Sequence, residues 1–123
     1  MNTAELLGKT IVVIDGFIGS DEIIFTMDDN KKYKFYHQQA CCEDVYVQDI
    51  IGDLRDLIGS PLTEAEEVSS VDDPVGYSPD ESRRESFTWT FYKLGTIKGS
   101  VTIRWLGESN GQYSEDVFLR EIT

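Results

Sequence analysis

Histidine occurs once, cysteine twice, and lysine and arginine together only 11 times in the 123 residues of this chain. Each shortage removes a class of function. Against 23 aspartates and glutamates the few cations leave a formal charge of −12. A broad surface for a phosphate backbone, which works through clustered cations, is therefore excluded. A local cationic pocket stays open, and so does the opposite use, an acidic surface occupying the nucleic-acid site of a basic partner. One histidine and the adjacent Cys41 and Cys42, with no CxxC spacing, do not make a zinc site. A bridge between sequence neighbours is strained, so both cysteines are expected as thiols in a reducing cytoplasm. No run approaches the roughly 18 apolar residues of a membrane span. The opening MNTAELLGKT lacks the basic start and apolar core of a secretory signal. A cytoplasmic location is expected. With no P-loop, GxGxxG, HExxH or nucleophile motif, no enzyme activity, cofactor or metal is expected either.

What is present points to one domain over residues 1–123, since 40% hydrophobic content suits a globular core. TIVVIDGF, EIIFTM and KYKFYH read as a three-stranded antiparallel meander, the last alternating Tyr33, Phe35 and His37 against Lys32, Lys34 and Tyr36. VYVQDI adds a short strand. Asp49 followed by Ile50, Ile51, Leu54, Leu57 and Ile58 has helical spacing, with Gly59 placed for the cap and Pro61 barring continuation. LTEAEEVSS reads as a strand or the start of a loop, and a mobile acidic loop is expected around residues 69–84. SFTWTFYKL and SVTIRWL alternate as a hairpin, and YSEDVFLRE supplies a last strand. The expected class is α+β: an antiparallel sheet of about six strands with one principal short helix on it.

In the hairpin, the bulk of Phe87, Trp89 and Phe91 assigns them to the core beside Val101, Ile103 and Trp105. Arg104 then falls on the polar face with Thr88, Thr90, Tyr92 and Thr102. A guanidinium there offers a planar fork of donors to a phosphate or carboxylate, unless a nearby acid simply pairs with it. Ser109, Asn110 and Tyr113 add donors and acceptors at the strand end, although Asn110-Gly111 is also a common tight-turn pair. A second candidate is FYHQQACCEDVY, which offers Tyr36, His37, Gln38, Gln39 and two thiols: rings could stack on a base while the amides read its edge.

The segments LLGKTIVVIDG, YHQQACCEDVYVQDIIGDLRDLIGSPL and SFTWTFYKLGTIKGSVTIRWLGESNGQYSE resemble a family of small proteins encoded by phages and prophages. In size and in its mix of sheet and short helix the chain is also similar to the Thoeris anti-defence sponges. That similarity implies sequestration, without cleavage, of a nucleotide-derived signal such as a cyclic ADP-ribose derivative or a cyclic oligonucleotide. The ligand would sit at a homo-oligomer edge, its phosphates on Arg104 and Arg55 and its base against Phe17, Tyr36 or Tyr92. The competing expectation is an acidic inhibitor of a host defence protein, for example a CRISPR effector or a nuclease.

Overall fold

The computed structural model describes residues 1–77 and 85–122. Eight strands run along the chain: β1 (Ile11–Asp15), β2 (Glu22–Met27), β3 (Lys32–Tyr36), β4 (Asp44–Ile51), β5 (Glu64–Ser70), β6 (Ser86–Thr96), β7 (Gly99–Ser109) and β8 (Phe118–Ile122). They form two four-stranded sheets, ordered β1-β2-β3-β8 and β4-β7-β6-β5, with every pairing antiparallel. The α+β expectation is thus overturned. The protein is all-β, and the helical segments among the described residues are two 3₁₀ turns, Thr3–Leu6 and Leu54–Leu57. No helix among those residues is long and apolar enough to cross a membrane.

The expected helix fails for a physical reason. Val45, Val47, Ile50 and Ile51 are β-branched and pack well on a pleated surface. Ile50 and Ile51 therefore extend β4 opposite Ile103 and Thr102. At Gly52, φ is +113, and a Cβ there would lie 2.8 Å from the Ser100 carbonyl oxygen. This bend ends the strand and leaves only Leu54–Leu57 to coil. Its cap is Asp53, whose side chain accepts from the Arg55 amide, not Asp49.

The sheets face each other across one core. Ile23, Phe25, Tyr33 and Phe35 meet Val47, Tyr92, Ile103 and Trp105 there, and the Phe35 and Tyr92 rings touch edge-on at 4.6 Å between centroids. Among the described residues, the Tyr92 hydroxyl and the Trp105 indole N–H are buried without a hydrogen-bond partner. A bulge between Val47 and Asp49 interrupts the pairing of β4 with β7. The Val47 carbonyl accepts from Gly19 and its amide donates to the Ser20 carbonyl, so the β1–β2 turn covers the outer edge of β4. Covering an edge in this way blocks pairing with another chain.

The faces of β6 are the reverse of those expected. Tyr92 and Leu94 point into the main core, while Trp89 and Phe91 share the outer face with Arg104 and Leu106. Trp89 is nevertheless fully buried, because the segment after β5 lies over it. Tyr77 meets its ring edge-on at 4.9 Å, and its indole N–H donates to Asp73 Oδ1 at 3.0 Å. Of the loop expected at 69–84, Ser69 and Ser70 belong to β5, residues 71–77 contribute this cover, and 78–84 lie outside the described residues.

Candidate functional site

The nine residues nominated from sequence separate into several places. Arg104 is engaged where it stands. Its Nε donates to Gln48 Oε1 at 2.8 Å, Asp49 pairs with it at 3.6 Å, and its guanidinium lies 5.3 Å from the centre of the Trp89 ring. The expected neighbour Tyr92 is on the opposite face of the sheet, in the core, so the two do not share a pocket. Burial, and secondarily the charge of Glu67, pushes the Tyr92 hydroxyl well above its ordinary value and keeps it neutral. Arg55 forms a fork onto Asp53 at 2.8–3.2 Å. The hydrogen bond to Asp53 raises the guanidinium and lowers the carboxyl. Tyr36 lies on the outer face of the first sheet beside Phe118, ring centres 6.0 Å apart. Phe17 protrudes from the β1–β2 turn, 70% exposed.

His37, expected among the ligand-binding residues, is half of a buried pair. Its Nε2 lies 2.8 Å from Glu43 Oε2 and its Nδ1 lies 2.7 Å from the Asp116 carbonyl. Both ring nitrogens thus face oxygen acceptors, a carboxylate and a backbone carbonyl. The same Glu43 carboxylate accepts from the Ala40 and Cys41 amides and from Gln39 Nε2. These donors, His37 foremost, hold its pKa down to about 2 against an ordinary 4.5. The loop after β3 is therefore built around one carboxylate that composition had hidden among 23 acids. The expected thiols are corrected as well: Cys41 and Cys42 are joined to each other as a disulfide.

Only Ser109, Asn110 and Tyr113 come together. They line a cleft of about 560 Å³ with Asp44, Tyr46, Tyr77, Glu85 and Glu108 among the other walls. The turn that carries them is locally determined. Ser109 donates to the buried Glu115 carboxylate and accepts from Gly111, while Asn110 Oδ1 accepts from Gln112. Gly107 permits this packing, since a Cβ there would lie 2.7 Å from the Glu115 carbonyl. A second cleft of about 690 Å³ opens on the other side of β4, where Asp15, Phe17, Asp21 and Glu22 face Asp44 and Tyr46. The two clefts share Asp44 and Tyr46, and no described lysine or arginine lines either of them. Chemically, the cleft where Asp15, Asp21 and Asp44 stand beside the Phe17 ring can take ammonium and guanidinium groups. Asp44, Tyr46 and Glu108 were not singled out in the sequence, because only the antiparallel pairing of β4 with β7 brings Asp44 opposite Glu108. No cluster of three metal-ligating side chains occurs among the described residues.

With that geometry in view, one family model, a domain of unknown function (DUF7448), matches residues 4–119. The chain belongs to that family. The match spans both sheets of the DUF7448 domain and ends within β8. Neither the curated proteins nor the solved structures contain a match.

Proposed function

We propose that this DUF7448 domain is a non-catalytic binding module that docks a basic protein surface onto its acidic, aromatic face. The reading rests on one observation: Asp15, Asp21 and Asp44 converge on one cleft beside the exposed ring of Phe17. Charge of this kind steers a cationic partner and sets its orientation. The resemblance of the sequence to phage and prophage proteins makes a nucleic-acid-binding component of host defence the fitting class of partner. Occupying its basic site would inhibit it without chemistry.

The nucleotide-sponge reading loses its anchor, because Arg104 and Arg55 already face carboxylates. It keeps one foothold. On the outer face of the first sheet Tyr36 and Phe118 adjoin Arg120 and Lys34, opposite each other in β3 and β8, with Lys34 also 3.5 Å from Glu22. That arrangement supplies rings for a base and cations for a phosphate.

Fluorescence anisotropy separates the two. An arginine-rich peptide should bind the wild type and bind at least about tenfold more weakly after Asp44→Asn, a loss of roughly 1.4 kcal/mol. Cyclic ADP-ribose should not bind. Nucleotide binding that disappears in Tyr36→Ala, with no peptide binding, would replace the first reading with the second.

A further inference from the structure

We propose that Cys41 and Cys42 form a reversible dithiol–disulfide site, whose state sets one wall of the acidic cleft. The bridge is not a structural staple. A disulfide stabilises by closing a loop in the unfolded chain, and here the loop contains only two neighbouring residues. Nor is there another use for either sulfur within the chain, which has no third cysteine. Both residues are exposed, so small thiols and disulfides reach them, and accessible bridges are the labile ones.

Position gives the bridge its consequence. Cys42 lines the cleft that also holds Tyr46, Tyr77 and Tyr113. The Cys41 amide donates to Glu43 Oε1 at 2.7 Å, and the Cys41 carbonyl accepts from Gln39 Nε2 at 3.1 Å. Closing a ring between the two side chains fixes the peptide that joins them. It thereby fixes the Cys41 carbonyl held by Gln39 and presents Cys42 to the cleft. With the ring open, that peptide rotates and its contacts loosen, while His37 and Glu43 remain paired below.

The oxidant is a low-molecular-weight disulfide of the glutathione class. One cysteine thiolate attacks a sulfur of the oxidant, forming a mixed disulfide and releasing one small thiol. The neighbouring thiolate then attacks the protein-side sulfur and expels the second. Two S–H bonds of the protein and one S–S bond of the oxidant are exchanged for one S–S bond of the protein and two small thiols, so two electrons and two protons pass to the oxidant.

The test equilibrates the full chain with oxidised and reduced glutathione, followed by thiol alkylation, intact mass and amide hydrogen exchange. A difference of two hydrogens should map to residues 41–42. Exchange at Ala40 to Glu43 should be about tenfold or more faster in the reduced form. Cys41→Ser and Cys42→Ser should exchange like the reduced form and ignore glutathione. Equal exchange in the two states, or thiols that alkylate at every glutathione ratio, would overturn the site. The effect on the cleft rests on the binding reading above and is read separately, as weaker arginine-peptide binding in the reduced form. If the peptide binds neither form while exchange still differs, the redox site stands and the binding reading fails.

Discussion

Glu43 has its two oxygens shared among a ring N–H, a side-chain amide and two backbone amides. Such a carboxylate is held in place by being charged. Its folded-state pKa lies below its unfolded one, so it contributes stability above 4.5 and loses that contribution as the pH falls towards about 2. Urea midpoints of the wild type and Glu43→Gln, measured down through that window, should therefore converge. A gap of constant size would show that the charge is not what organises the loop. Tyr92 has the opposite sign. Burial raises its hydroxyl above the ordinary 10.0, so the fold is unaffected by this group below that pH and loses stability as the pH rises above it. Because the hydroxyl has no hydrogen-bond partner, Tyr92→Phe should be neutral or stabilising by up to about 1 kcal/mol. A clear loss in thermal melting would mean the hydroxyl is bonded after all.

Strand elements were legible where alternation was strict. β2, β3 and β7 present apolar residues at every second position, and their core faces follow from the sequence. β6 was misread because both of its faces are apolar: Phe87, Trp89 and Phe91 on one, Tyr92 and Leu94 on the other. Bulk alone favours the wrong face when a later segment covers it, and that segment, with Asp73 and Tyr77, gives no periodic signal. Among the residues singled out, Ser109, Asn110 and Tyr113 were grouped by their place at a strand end, and they line one cleft. Arg104 was singled out for its place in a strand, but its partners Gln48 and Asp49 come from a bulge that sequence spacing does not reveal. Two substitutions test the elements. Gly52→Ala should cost about 1–3 kcal/mol through its positive φ and the Ser100 carbonyl. Trp89→Ala should cost about 3–5 kcal/mol although it lies outside the main core. If urea denaturation shows Trp89→Ala to be nearly neutral, the segment after β5 does not cover that face in solution.

For the molecule as a whole, a charge of −12 makes the proposed docking dependent on ionic strength. At physiological salt the screening length is about 8 Å. Association with a basic peptide should accordingly slow as salt rises, with a smaller change in the dissociation rate, measured by stopped-flow mixing. A salt-independent association rate would place the affinity in the rings and not in the acids.

The two sheets are also interleaved along the chain. β4 to β7 form one sheet from consecutive sequence, whereas β8 returns past all of them to complete the other beside β3. During synthesis the second sheet emerges while the first still lacks its last strand. Phe35 waits for Leu119, its partner across β3 and β8, until nearly the whole domain has left the ribosome. The nascent chain must then carry the inner face of a finished sheet, Tyr92 and Trp105 included, with only three strands of the other to shield it. That makes the interval before β8 docks the period in which this domain is most open to aggregation, and a natural point for a chaperone to act.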